Sequence, residues 1–136
     1  MSKTKTGSNA QFTGPQKGLT VIGNHVYAHS GLVPTATSET TQLKFTTGDE
    51  YMVVTLMLNG GINIASIGSG INTLFYIIMN GSKISCVKVG ETGAEDMPTC
   101  YLYKLLIPPL TSFEVTGDSD YTDYFTSVTM TGRLYG

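Results

Sequence analysis

Thr99 to Val115 reads TCYLYKLLIPPLTSFEV, and its alternation decides the fold. Tyr101, Tyr103, Leu105 and Ile107 fall on one side of an extended strand, because side chains alternate with period two. Lys104 points to the other side, flanked by Leu102 and Leu106. Pro108-Pro109 then ends the ladder, since proline has no N–H to donate and a fixed φ. A second strand follows at once, with Phe113 and Val115 inward and Glu114 outward. Strand, double-proline corner and return strand are the framework of an antiparallel β-domain.

Working outward, the rest of the chain repeats this grammar. Leu19 to Ala28 is expected to be one strand, bent at Gly23, and Ser30 to Pro34 a turn region. Leu43 and Phe45 oppose Lys44 and Thr46 within Thr37 to Thr47. Tyr51 to Asn59 is apolar on both sides, which implies a central strand or one covered by a neighbouring subunit. Gly60 to Gly70 reads as a connection with a short strand at Ile62 to Ile67. Thr73 to Met79, Asn80-Gly81 and Lys83 to Val89 form a hairpin, because both central residues of a type I′ turn need positive φ. Asp118 to Asp123 is a polar turn. Val128, Met130 and Leu134, with Tyr124, oppose Ser127, Thr129, Thr131 and Arg133 in the last strand.

No span has useful helical periodicity. The expectation is an all-β antiparallel sandwich of about eight strands, jelly-roll-like first and immunoglobulin-like second. Residues 1–17 are polar and read as a flexible arm, leaving 18–136 as one domain. With 136 residues, the chain can enclose a core without staples. Twenty threonines, eight tyrosines and sixteen glycines shift the balance toward strands and turns.

Charged residues make up only 13% of the chain, about half the usual share. Such a surface suits a protein covered by partners better than a free monomer. A net charge of −2 gives no general electrostatic case for nucleic acid or an anionic membrane. The charge is uneven: Lys3, Lys5 and Lys17 precede any acid, while Glu91, Glu95, Asp96, Glu114, Asp118, Asp120 and Asp123 crowd residues 91–123. The N-terminus lacks the apolar region of a signal peptide, so a soluble, cytoplasmically made protein is expected. Leu74 to Met79 is too short to span a bilayer as a helix. Cys86 and Cys100 are expected to be free thiols in strands, packed in the core.

Candidate chemistry is sparse. His25 and His29 lie on the order of 13 Å apart along a strand, too far to share one ion. Asp118, Asp120 and Asp123 lack the central glycine and distal glutamate of a calcium loop. Asn80-Gly81-Ser82 fits a glycosylation sequon but is explained as a turn. Gly68-Ser69-Gly70 lacks the lysine of a phosphate loop. No serine sits in a nucleophile elbow, and Glu91, Glu95 and Asp96 have no nominated catalytic partner. The expectation is no enzyme, no cofactor and no metal. Tyr121, Tyr124, Phe125 and Tyr135 offer aromatic faces to a sugar, although the chain has no tryptophan.

Four segments carry a resemblance: HVYAHSG (His25–Gly31), LKFTTGDEYMV (Leu43–Val53), LIPPLTSFEV (Leu106–Val115) and TMTGRLYG (Thr129–Gly136). Together they resemble small all-β virion proteins of tailed bacteriophages, as found in marine and cyanobacterial phages. The resemblance implies a capsid cement or decoration protein, a homo-oligomeric dimer or trimer on the capsid surface that clamps neighbouring major capsid subunits. Assembly would take place in the host cytoplasm. A tail or neck component, or a receptor- or glycan-binding module, is the alternative. Contacts are expected in the arm at Lys3, Lys5, Phe12 and Lys17, and in the acidic loop at Glu91, Glu95 and Asp96. The last strand adds Arg133 and Tyr135, and the opening stretch adds Lys104.

Overall fold

Alternating apolar and polar side chains set a two-residue period, and every regular element of the described chain is a strand. The computed structural model describes residues 11–12, 19–62, 73–89, 99–119 and 125–136. The strands are β1 (Gln11–Phe12), β2 (Leu19–Ile22), β3 (His25–His29), β4 (Val33–Pro34), β5 (Thr40–Thr46) and β6 (Tyr51–Ile62). After them come β7 (Thr73–Met79), β8 (Ser82–Val89), β9 (Thr99–Ile107), β10 (Ser112–Ser119) and β11 (Phe125–Tyr135).

They form a β-sandwich of two antiparallel sheets. Sheet A has the order β1-β5-β10-β7-β8; sheet B has β2-β3-β11-β6-β9, with β4 also on β11. Between them, Leu43, Phe45, Phe75, Ile77 and Phe113 of sheet A meet Met52, Leu56, Leu58, Ile107 and Met130 of sheet B, all sealed from water. Phe45 and Phe113 pack as a tilted pair with ring centroids 5.2 Å apart. Each such side chain contributes about 1.5–3 kcal/mol by leaving water.

The chain is wound as a doubled ribbon. β5, β6 and β7 run out, β8, β9 and β10 run back, and the pairs are β7 with β8, β6 with β9 and β5 with β10. Two of the changes of sheet, β5 to β6 and β9 to β10, therefore lie side by side. Buried Thr47 staples them: its hydroxyl donates to the Pro108 carbonyl at 2.8 Å and accepts from the Thr111 N–H at 2.8 Å. The Leu110 N–H donates to the Gly48 carbonyl at 2.8 Å and holds Leu110 at φ 54°. The double proline ends β9 as expected, and Thr47 fixes the corner.

Asn80 and Gly81 have φ of 51° and 83°, the type I′ hairpin expected. Other expectations need correction. Leu19 to Ala28 is two strands, since Ile22 pairs with His25 and Gly23 stands at φ 62°. A glycine at the first central position permits a two-residue type II′ turn, so the chain reverses instead of bending. β6 extends through Ile62 and β10 through Ser119, so Asp118 lies in a strand; residues 63–67, Asp120 and Asp123 lie outside the described residues. Val33–Pro34 within the turn region pairs with β11. With the short pieces β1, β2 and β4, the count rises from eight strands to eleven among the described residues. Cys86 and Cys100 are free thiols, as expected, but both are exposed, because each sits at an outward position of an edge strand.

Candidate interaction face

A two-layer sandwich buries only one face of each sheet, so an apolar residue at an outward position stays in water. β6 shows the consequence. Met52, Val54, Leu56 and Leu58 are buried, whereas Tyr51, Val53 and Met57 are exposed, even though the strand is hydrogen-bonded on both edges. The strand is central in its sheet, one of the two expected placements, and within the chain it is covered on one side.

Register assembles the neighbours. Met57 pairs with Leu102 on one side and Thr129 on the other; Val53 pairs with Leu106 and Arg133; Thr55 pairs with Lys104 and Thr131. Tyr51 pairs with Tyr135, and their rings stack with centroids 5.8 Å apart at 23°. The outer face of sheet B thus carries Tyr51, Val53, Met57, Leu102, Leu106 and Tyr135, each between 38% and 58% exposed. Lys104 and Arg133 stand among them. No described strand position of this face holds a carboxylate.

Sheet A's outer face is of another kind. Lys83 bridges Glu39 at 2.6 Å and lies 4.1 Å over the Tyr76 ring, and the Thr116 hydroxyl donates to Glu39 at 2.8 Å. The Thr41 hydroxyl donates to Glu114 at 2.8 Å, beside Lys44. The hydrogen-bonded Lys83 ammonium, then the Thr116 hydroxyl, hold the Glu39 carboxyl below its ordinary range. One face has matched charges, while the other has apolar side chains and two cations.

Three of the expected contact residues, Lys104, Arg133 and Tyr135, meet on the outer face of sheet B. Phe12 lies in β1, whose backbone pairs with β5 at Phe45, on the edge of the other sheet. Lys3, Lys5, Lys17, Glu91, Glu95 and Asp96 lie outside the described residues. Among the proposed sugar platforms, Phe125 is half-buried, Tyr135 stacks on Tyr51, and Tyr121 and Tyr124 lie outside the described residues. Val53 and Met57 were legible as a second apolar side of β6; which neighbours they join depended on register. Among the described residues, no three His, Cys, Asp or Glu side chains gather as metal ligands. No protein-family model and no curated protein matches the sequence.

Proposed function

We propose that the chain is a structural virion protein of the capsid cement or decoration type, which docks on the major capsid protein through the outer face of sheet B. The observation that carries the reading is the apolar, cation-bearing patch built from Tyr51, Val53, Met57, Leu102, Leu106 and Tyr135 around Lys104 and Arg133. Exposed apolar patches of this kind mark contact surfaces, and the two cations favour an acidic partner. The resemblance of four segments to phage virion proteins supplies the setting. Two of those segments contain the changes of sheet that Thr47 joins, and the fourth is the end of β11 that bears Arg133 and Tyr135.

The winding supports a jelly roll in particular. Pairing of β3 and β4 with β11, β5 with β10, β6 with β9 and β7 with β8 is that of a ribbon rolled into two four-stranded sheets. Such a sandwich presents a rigid face and leaves chemistry to others. The reading predicts that purified particles of the encoding phage hold the protein in the copy number of the capsid lattice, measured by quantitative mass spectrometry against the major capsid protein. The copy number of a single ring would place it in the tail or neck, and absence from particles would overturn the proposal.

A further inference from the structure

β11 passes first β4 and then β3, and the two registers do not match. Val33 pairs with Thr126, and His29 pairs with Thr129. Two residues of β11, Ser127 and Val128, therefore face three of the opposite chain, Ser30, Gly31 and Leu32. One residue too many forces the chain outward, and Gly31 takes the strain at φ 72°. The base of this bulge is fixed: the Ser30 N–H donates to the Val128 carbonyl and the Val128 N–H to the Ser30 hydroxyl, each at 2.9 Å. Leu32 is left standing in solvent at 52% exposure. An open cleft of about 300 Å³ results, bounded by Tyr27, His29, Gly31, Leu32, Ser127 and Thr129.

We infer that this cleft binds a neutral saccharide. Its walls carry no carboxylate, ammonium or guanidinium, so no permanent charge there selects a charged ligand. It is shallow, whereas a wholly apolar small molecule needs enclosure. What it offers is an exposed tyrosine ring set 5.8 Å from an imidazole and tilted by 53°, with hydroxyls on the facing strand. Ser127 already accepts from the Asn59 amide at 3.1 Å, which leaves its O–H to donate. A pyranose matches this set, since it has an apolar C–H face to lay on the tyrosine and ring hydroxyls that both donate and accept. The site lies on the β3 side of sheet B and shares no residue with the apolar patch, so the inference stands apart from the capsid reading.

The test uses the labelled full chain on an array of neutral oligosaccharides built from glucose, galactose, mannose and N-acetylglucosamine. Amide shifts are then followed by NMR during titration with the strongest-binding free sugar. Retention of at least one neutral glycan is expected, with shifts confined to residues 27–32 and 127–129. Tyr27→Ala lowers retention by about tenfold or more, whereas Tyr27→Phe keeps the stacking face and most of the signal. Thr129→Ala gives a second, smaller loss, and Lys88→Glu, on β8 of the other sheet, leaves retention unchanged. The inference fails if no neutral saccharide is retained, if only charged glycans are, or if shifts map elsewhere. It also fails if neither Tyr27→Ala nor Thr129→Ala, with melting unchanged, reduces retention.

Discussion

Gly132 shows how much a single atom can decide. It occupies an inward position of β11 between Met130 and Leu134, where alternation would place another aliphatic side chain. A Cβ there would collide with the Val53 carbonyl oxygen and come within 2.7 Å of the Val54 Cα. The obstacle is backbone, which cannot rotate away. Gly132→Ala therefore pushes β11 off β6, at a cost of about 1–3 kcal/mol expected for overpacking. Urea unfolding measures it, and a change under about 0.5 kcal/mol would show that the strands yield freely. The Glu39–Lys83 bridge makes a prediction in pH. Glu39 titrates lower in the folded protein than its ordinary 4.5, because Lys83 and Thr116 bind the carboxylate. Its contribution is complete above that value and is lost as pH falls through the folded one. Lys83 is raised above 10.5 by the same partner, so the bridge persists through neutrality and fades only as pH rises through that folded value. Glu39→Gln should melt slightly below the wild type at neutral pH, by a small margin because both groups are exposed. In acid the two melts should converge; a gap that stays constant down to pH 2 (about two units below the ordinary carboxylate value) would rule the bridge out as its source.

At the scale of the element, β6 and β9 carry the partner reading. Met57 is flanked in register by Leu102 and Thr129, and Lys104 lies one row away on β9. Covering Met57 in a complex removes apolar area worth about 1.5–3 kcal/mol, so Met57→Glu should weaken binding to capsids by at least about tenfold. Lys104→Glu should weaken it through charge alone. Neither should lower the melting temperature appreciably, because both side chains are solvent-exposed in the free protein. Co-sedimentation with capsids reads the first effect and calorimetry the second. Binding that survives both substitutions would move the contact to another face. The elements also show where local reading failed. Asn80-Gly81 is legible because both residues suit positive φ, whereas Gly23-Asn24, another hairpin pair, sits inside a mostly apolar run that reads as one bent strand. Gln42 is a bulge residue: Val115 pairs with Leu43 and Thr116 with Thr41, so Gln42 and its neighbour Leu43 are both buried. Its side chain carbonyl accepts from the Thr126 hydroxyl at 3.3 Å, a contact between residues 84 positions apart that no period reveals.

For the whole molecule, the difference between the two outer faces is the central fact. Sheet A carries matched charges suited to water. Sheet B carries an apolar patch with two cations at one side and an uncharged cleft at the other. A protein with one such face per copy gains little from a single contact, but copies joined as an oligomer on a symmetric lattice would gain more, since each further engagement would be intramolecular. The same arithmetic would let a weak saccharide site act through many displayed copies. Among the described strand positions, charged residues are thus sparser in sheet B than in sheet A.

The sequence by itself determined the class of fold. Period-two alternation, the proline corner and Asn80-Gly81 are local signals, and local signals suffice to place strands and turns. It also determined that β6 has two apolar sides. The tertiary structure decided what those sides meet, because a two-sheet sandwich covers one and leaves the other open. Strand register, a relation between distant residues, decided the rest. It set Lys104, Arg133 and Tyr135 on one face, joined Thr47 to the Pro108-Pro109 corner, and opened the cleft where β11 faces one residue too many.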